Sequence, residues 1–275
     1  MSRGPAPRSA AEPLRLLSVV IPMRNEEGAI ASTVEHLYVE LRLRNIPHEI
    51  VTVDDGSTDS TWAVVQALAA KVPTLRPVRN TGEHGFGRAV ICGIDQSRGD
   101  AVVIMMADES DDCRDVVRYW ELLGQGWDAV FGSRFLRGGG VIDYPPHKLF
   151  INRAANLFLR LLFGVPFNDF TNAFKAYRRY VIDQIQPLLS NHFNLTVEMP
   201  LKAVVRGYNY AVVPVTWTNR RHGVSKLKLQ EMGSRYAFII LYVWLEHHLS
   251  RGDYRRKDLP PAAREAPERE LSAGV

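Results

Sequence analysis

Strand-length apolar runs alternate with segments of helical spacing along the first half of the chain, and this alternation restricts the possible folds more than any other feature. The pattern predicts strands at 17–22, 49–55, 75–80, 101–108 and 128–133, and helices at 30–43, 61–70, 88–96 and 112–123. Continuous Val- and Ile-rich strands joined by helices are typical of an α/β fold, in which helices cover both faces of a mostly parallel sheet. In open sheets of this kind, ligands bind beyond the C-terminal ends of the strands.

Acidic residues are concentrated at the C-terminal ends of three of the predicted strands. The first, second and fourth strands end in the segments PMRNEE, DDGSTD and ADESDD. Helix N-capping accounts for Asp59 and Asp112, but it does not account for Asp54, Asp55 and Asp108 together. Carboxylates brought to one rim repel one another, and their oxygen atoms suit a divalent cation. We therefore expect a cation site at this rim.

Six motifs follow one another along the chain: VVIPMRNEE, VDDGSTDST, EHGFGRAVICGIDQSRGD, FGSRF, FTNAFKAYRR and RRHGVSKL. In sequence and order they resemble the motifs of family 2 glycosyltransferases with the GT-A fold, most closely the dolichol-phosphate (polyprenyl-phosphate) mannosyltransferase branch. The resemblance covers roughly residues 17–230. It implies a Rossmann-like sheet flanked by helices, and transfer of a sugar from a nucleotide diphosphate donor.

The resemblance also implies roles for individual positions. The base and ribose of the nucleotide would contact Pro22, Glu26, Val53 and Asp55. Asp108, next to Ala107, would bind the diphosphate and a Mg²⁺ or Mn²⁺ ion, and Ser110 would help to hold the metal. Cations would surround the phosphates at Arg134, Lys148, Arg220 and Lys226. Catalysis would depend mainly on Asp108, Arg220 and Lys226.

The chain departs from the family pattern at Met106, where the family's D-x-D pair has its first Asp. A thioether sulfur is a poor ligand for Mg²⁺ or Mn²⁺. Either Glu109, Asp111 or Asp112 compensates, or the diphosphate and Asp108 supply most of the ligands. A degenerate member that only binds nucleotide sugars is an alternative, although the intact R-x-x-G-x-S-K motif favours an active enzyme.

The second half of the chain is basic, with 15 Lys or Arg against 5 Asp or Glu between Arg134 and Arg235. Such an excess indicates an anionic partner. A hydroxyl acceptor such as a glycan requires a general base, for which Glu198 is the candidate, whereas a phosphate acceptor does not. We therefore expect inverting transfer of a hexose to a polyprenyl phosphate; the family resemblance implies GDP-mannose as the donor and leaves a UDP-sugar open. Nucleic acid is not expected as a partner, because no nucleic-acid motif is present.

The segment 228–249 is predicted to be helical, and its ten residues from Tyr236 to Leu245 are all apolar. Aromatic side chains with basic flanks suit the membrane interface, and the run is too short to span a bilayer. The alternatives are a helix packed on the sheet or a contact within a homo-oligomer. We expect a membrane-surface partner for this helix.

The predicted organisation is a disordered tail at 1–13, a GT-A domain at 14–230, an apolar helix at 231–250 and a disordered charged tail at 251–275. Two cysteines without metal-site spacing and an N-terminus without an apolar core indicate a reducing compartment. We therefore expect a cytoplasmic protein that is peripheral on the cytoplasmic face of the membrane.

Overall fold

The computed structural model describes residues 12–219 and 229–255, and most of the two predicted tails lies outside these ranges. The strands are β1 (Leu17–Met23), β2 (His48–Asp54), β3 (Leu75–Arg79), β4 (Ala101–Ile104), β5 (Ala129–Ser133), β6 (Gly140–Ile142), β7 (Lys175–Arg178), β8 (Tyr210–Pro214) and β9 (Thr216–Thr218). The helices are α1 (Ile30–Leu43), α2 (Thr61–Ala69), α3 (Phe86–Gln96), α4 (Cys113–Gly124), α5 (Pro146–Phe163), α6 (Arg179–Gln184), α7 (Leu195–Val205) and α8 (Leu229–Leu249).

Seven strands form one sheet in the order β3-β2-β1-β4-β7-β5-β8. Neighbouring strands are parallel except at β7, which runs antiparallel to both β4 and β5. The α/β fold with a mostly parallel sheet is therefore confirmed.

Side chains of β1 alternate between two hydrophobic cores, one on each face of the sheet. Leu17, Val19 and Ile21 pack with apolar residues of α1, α2 and α4. Val20 instead packs with residues of α3, α5 and α7. All four side chains are fully buried. This two-sided burial explains the continuous apolar run in the sequence, since successive side chains of a strand point to opposite faces.

Strand β7 was not among the predicted strands because its sequence, KAYR, carries two cations in four residues. Both are buried nonetheless. Lys175 Nζ donates a hydrogen bond to the Phe170 carbonyl at 3.0 Å, and Arg178 Nη2 donates to the Leu123 carbonyl at 2.6 Å. Backbone carbonyls thus accept hydrogen bonds from these buried polar groups, which would be costly to leave unpaired.

Strand β4 ends at Ile104, earlier than the predicted end at 108. The chain turns into a loop there, because the Met106 N–H donates to Asp111 Oδ2 at 3.0 Å. Helix α4 then begins after Asp112, whose Oδ1 accepts the N–H of Arg114 at 2.9 Å. The predicted N-cap is therefore confirmed, and the carboxylates after β4 lie on a loop.

Strands β6 and β9 form a separate two-stranded parallel ribbon. The Thr218 N–H of β9 donates to the carbonyl oxygen of Ser110 at 3.1 Å. This hydrogen bond fixes the ribbon against the loop that follows β4, at the C-terminal edge of the sheet.

Helix α8 packs on the protein with only one of its faces. Ile239 and Val243 are fully buried, and Glu246 forms a buried ion pair with Arg206, with oxygen–nitrogen distances of 2.7 and 2.9 Å. The predicted interfacial role can therefore apply only to the opposite face, which includes Phe238. Within the part of the chain that the structure describes, no helix combines the length and hydropathy needed to cross a bilayer.

Candidate active site

One cavity of about 960 Å³ opens beyond the C-terminal ends of the strands, where the topology predicts a ligand site. Its charged part is formed by strand-end loops and the beginning of α5. The residues that line this part are Pro22, Arg24, Glu26, Asp55, Met106, Asp108, Ser110, Arg134 and Lys148. The structure thus brings together seven of the predicted site residues: Pro22, Glu26, Asp55, Asp108, Ser110, Arg134 and Lys148.

Two predicted nucleotide-contacting residues, Val53 and Ala107, lie behind the cavity wall. Val53 is fully buried on the α3 side of the sheet, and a Cβ atom at Gly93 would come within 2.9 Å of its Cγ2. Ala107 is also buried, and its carbonyl oxygen accepts a hydrogen bond from Thr33 Oγ1 at 3.1 Å. Their side chains therefore support the site and do not line it.

The adjacent carboxylates at the end of β2, Asp54 and Asp55, have different tasks. Asp54 Oδ1 accepts the N–H of Ser57 at 3.1 Å and closes a turn. Asp55 lines the cavity, where its Oδ2 accepts the N–H of Gly85 and its Oδ1 accepts Asn80 Nδ2, both at 2.8 Å. Asp55 therefore fixes the loop before α3 to the end of β2.

Pro22 and Glu26 form the neighbouring wall at the end of β1. Pro22 lies opposite Val53 in the parallel pairing of β1 with β2. The Glu26 N–H donates to Thr61 Oγ1 at 2.8 Å, which ties the loop after β1 to the beginning of α2. Both residues therefore share one wall with Asp55, as the family resemblance implies.

The oxygen atoms of Asp108 and Ser110 fit a hard divalent cation. Both residues are buried at the cavity wall, and Ser110 Oγ has no hydrogen-bond partner among the described residues. Met106 also lines the cavity, but its sulfur is a poor ligand for such an ion. No group of three His, Cys, Asp or Glu side chains in residues 12–219 and 229–255 could hold a metal alone. The site therefore fits a cation that takes its remaining ligands from a diphosphate.

The acidic residues considered as substitutes for an Asp at position 106 are directed elsewhere. Asp111 accepts the N–H of Met106, and burial raises the pKa of its carboxyl to about 7. Asp112 caps α4. Neither of them, nor Glu109, lines the cavity. These three carboxylates are therefore not positioned in the cavity wall to replace an Asp at position 106.

Arg134 follows β5 and presents a fixed cation to the cavity. Its Nε and Nη2 donate to the two carboxylate oxygens of Asp169 at 2.8 and 2.7 Å, and Nη2 also donates to Thr171 Oγ1 at 3.1 Å. Burial alone would lower the pKa of the guanidinium, but Asp169 raises it above its ordinary value. The guanidinium is therefore charged and held in one position.

The loop 168–174 connects Arg134 to α5, and this connection was missed by the sequence analysis. Thr171 Oγ1 donates to Asn152 Oδ1, and Asn156 Oδ1 accepts the N–H of Phe170, both at 2.6 Å. Asn156 is buried. The available sequence signal was the spacing of the two asparagines, four residues apart and so on one face of a helix.

Beyond its charged part, the cavity continues between α5, α7 and α8. The lining there is mostly apolar: Ile151, Ala155, Phe158, Leu159, Phe193, Val197, Tyr236 and Ile240. Phe193 stacks on Phe86 with ring centroids 4.3 Å apart. A charged compartment that leads into an apolar one suits an amphiphilic ligand with a polar head.

The remaining predicted cations have different outcomes. Lys148, in the first turn of α5, lines the cavity, as does Arg235 of α8. Arg220 and Lys226 lie outside the described residues.

Glu198, the candidate general base, is fully buried in α7 and does not line the cavity. Its carboxylate accepts the N–H groups of Leu189 and Ser190, each at 2.8 Å, and pairs with Lys202 Nζ at 2.7 Å. These contacts occupy both oxygens. Glu198 is therefore placed to stabilise the fold and not to contact a substrate.

The fold and the strand-end site define a GT-A-like α/β protein. Glucosyl-3-phosphoglycerate synthase from Mycobacterium tuberculosis, in complex with Mn²⁺, uridine diphosphate and phosphoglyceric acid, has a similar structure with a TM-score of 0.63. The likeness covers 85% of this chain and 78% of that chain, at 20% sequence identity. At this identity it establishes the fold class.

The family follows from sequence comparison. The profile of glycosyl transferase family 2 matches residues 18–186. The chain is 31% identical over 228 residues to polyprenol monophosphomannose synthase of Mycolicibacterium smegmatis, covering 80% of this chain and 83% of the relative. It is 32% identical over 219 residues to dolichol-phosphate mannosyltransferase of Pyrococcus furiosus, covering 77% of this chain and 59% of the relative. The chain therefore belongs to glycosyl transferase family 2, and it is a glycosyltransferase.

Proposed function

We propose that this glycosyltransferase transfers a hexose from a nucleotide diphosphate sugar to a polyprenyl phosphate, with inversion at the anomeric carbon. Mannose is the hexose that we propose first. The observation that carries the proposal is the continuity of one cavity, which joins the strand-end carboxylates and Arg134 to an apolar wall between α5, α7 and α8. The charged part suits the nucleotide sugar. A phosphate head with an isoprenoid tail suits the passage into the apolar part.

The distribution of carboxylates supports an acceptor that brings its own negative charge. In the described part of the chain, the carboxylates that line the cavity are Glu26, Asp55 and Asp108, which follow β1, β2 and β4. Glu198 is buried and paired with Lys202. A hydroxyl acceptor needs a base near the reacting oxygen, whereas a phosphate oxygen is already anionic at neutral pH. We therefore favour a phosphate over a glycan hydroxyl.

In the proposed reaction, an acceptor phosphate oxygen attacks the anomeric carbon while the bond from that carbon to the donor diphosphate breaks. The new bond forms opposite the leaving group, so the configuration inverts, and the nucleoside diphosphate departs with the bonding electron pair. Arg134 and Lys148 would hold the phosphates, because preorganised cations stabilise charge as it moves to the leaving group. We propose the same phosphate-binding role for Arg220 and Lys226, on the basis of their R-x-x-G-x-S-K motif alone.

A divalent cation, Mg²⁺ or Mn²⁺, is part of the proposal. Asp108 and Ser110 would hold it, and when bound it would neutralise charge on the diphosphate. The Mn²⁺ and Mg²⁺ complexes of the structurally similar synthase support this choice of ions.

GDP-mannose is the first donor to test, because the two curated relatives are named for monophosphomannose synthesis and for mannosyl transfer. A UDP-sugar is the second, since the structurally similar synthase was crystallised with UDP-glucose.

The proposed working place is the cytoplasmic surface of a membrane. Helix α5 buries only Asn156, Leu159 and Phe163, while Phe150 and Leu161 are 75% and 76% exposed. Basic side chains accompany the apolar ones on both helices: His147, Lys148, Arg153 and Arg160 on α5, and Arg235, His247 and His248 on α8. Apolar faces with basic neighbours match an anionic lipid surface. Both helices also line the cavity, so the acceptor tail could enter from the bilayer.

The deciding assay offers radiolabelled GDP-mannose or UDP-glucose together with undecaprenyl phosphate, dolichyl phosphate or the corresponding free alcohols. We expect lipid-extractable label only with the phosphates. Label on a free alcohol as readily as on a phosphate would overturn the proposal and return attention to a hydroxyl acceptor. Tight nucleotide-sugar binding without transfer to any acceptor would identify a binding protein that has lost the reaction.

A further inference from the structure

Trp217 of β9 lines the cavity. It belongs to none of the six sequence motifs, and the proposed mechanism gives it no role. It is half-buried and lines the cavity together with Tyr144. The two rings meet edge to face, with centroids 5.1 Å apart and planes at 69°. Asn152 Nδ2 donates to the Tyr144 hydroxyl at 3.1 Å. The indole is therefore backed by a second ring that is itself held by α5.

The position of Trp217 is fixed relative to the cation site. Its neighbour Thr218 donates its N–H to the carbonyl oxygen of Ser110 at 3.1 Å. Ser110 and Asp108 are the residues that fit the cation and hence the donor diphosphate. The sugar is bonded directly to that diphosphate, so the space for the sugar adjoins the wall that Trp217 forms.

We infer that Trp217 is a sugar-binding residue, whose indole contacts the hexose of the nucleotide sugar. The face of an aromatic ring is negatively polarised and attracts the C–H groups on the apolar face of a pyranose. The indole N–H is a donor only, and in residues 12–219 and 229–255 it has no hydrogen-bond partner, so it can donate to a sugar hydroxyl. The inference rests on the proposed function for the presence of a nucleotide sugar.

The experiment separates sugar binding from nucleotide binding by measuring dissociation constants for GDP-mannose and GDP, and for UDP-glucose and UDP, with Mn²⁺ present. In Trp217→Leu we expect the constant for the nucleotide sugar to rise about five- to tenfold, the scale of one aromatic contact. The constant for the bare nucleotide should stay within about twofold. Trp217→Phe keeps a ring and should retain most of the sugar affinity.

Trp120→Leu in α4 is the matched control, because Trp120 is also half-buried but does not line the cavity. It should leave the ratio of the two constants unchanged. An equal change in both constants for Trp217→Leu, or no change in either, would overturn the inference. A wild-type protein that binds neither nucleotide would instead refute the proposed function.

If the Trp217→Leu protein fails to fold, a second measurement on the wild-type protein still tests the contact. Of the five tryptophans, all in the described part, Trp217 is the one in the cavity wall. In deuterated wild-type protein with protonated tryptophan, saturation of the indole protons should pass to hexose ring protons more strongly than to ribose protons. Equal or weaker transfer to the hexose would refute the contact.

Discussion

The guanidinium of Arg134 and the carboxylate of Asp169 form a buried bidentate ion pair, with distances of 2.8 and 2.7 Å. The residues are 35 positions apart, one at the end of β5 and the other in the loop before β7. Because Thr171 also accepts from Arg134, the pair positions a cation in the cavity wall and orders the loop beside it.

Arg134→Lys keeps the charge but cannot reproduce two parallel hydrogen bonds. We expect kcat/KM for the lipid phosphate to fall by about 10- to 100-fold, which is roughly 1.4–2.7 kcal/mol of transition-state stabilisation. Steady-state kinetics with varied acceptor tests this. The exposed Arg137→Lys is the control and should behave as wild type. A kcat/KM for Arg134→Lys equal to that of the wild type would show that Arg134 does not act in the site.

Asp108→Asn removes the carboxylate that fits the cation. We expect kcat to fall by about 10²-fold or more, the usual effect of losing one preorganised charged contact. Wild-type activity should also disappear in EDTA and return with Mn²⁺. Asp95→Asn, an exposed carboxylate of α3 away from the cavity, should have little effect. Full activity of the wild type in excess EDTA would contradict the metal requirement.

Glu198→Gln tests whether this carboxylate is a base or a structural group. A lost general base costs about 10²- to 10⁴-fold in rate. Because Glu198 pairs with Lys202 away from the cavity, we expect Glu198→Gln to retain most of kcat, and its free energy of unfolding to fall by about 3–5 kcal/mol, as for a broken buried ion pair. Urea unfolding and kinetics on the same samples distinguish the two. A stable protein without activity would revive the hydroxyl acceptor.

Lys175 should give the fold a measurable pH dependence. Burial lowers the pKa of its ammonium from 10.5 to about 7; the charged groups that affect it are Asp169, Arg134 and Asp111. Between pH 7 and about 10 the unfolded chain then holds more protons than the folded protein, so stability rises with pH, by at most about 1.4 kcal/mol per pH unit. Lys175→Met lacks this contribution. The difference in unfolding free energy between the wild type and Lys175→Met should therefore change between pH 7 and about 10. Parallel plots of unfolding free energy against pH for the two proteins would contradict the effect of burial on the pKa of Lys175.

Phe238→Ser with Leu241→Ser tests membrane docking without disturbing the packed face of α8, since both side chains are more than half exposed. Loss of apolar contact should reduce cosedimentation with anionic liposomes severalfold. Val39→Ser with Leu43→Ser removes two exposed apolar residues from α1 and should leave binding unchanged. If both double variants cosediment with the liposomes to the same extent, the exposed face of α8 does not bind the membrane.

The sequence predicts the strands that carry the site because their burial on both faces leaves a continuous apolar run. It also predicts which rim binds ligands, and Asp55 and Asp108 are found there. The side chain of Val53 does not line the cavity, because strand alternation directs it to the α3 side of the sheet. The motif gives the position of Val53 in the chain but not the direction of its side chain.

The parts that could not be predicted depend on side-chain pairs between distant segments. Asp169 pairs with Arg134, and Asn156 binds the backbone of Phe170; neither pairing has a periodic pattern. Strand β7 was missed because Lys175 and Arg178 have polar side chains whose burial depends on carbonyl groups far along the chain.

The apolar surface of α5 and α8 has a kinetic consequence for the proposed reaction. An enzyme adsorbed on a bilayer meets its acceptor at a density per unit area, so the velocity depends on the mole fraction of polyprenyl phosphate among the lipids and not on its concentration in the sample. Adding inert phospholipid at constant acceptor would slow the enzyme by surface dilution. A cell could then regulate this transferase by changing the composition of the membrane around it.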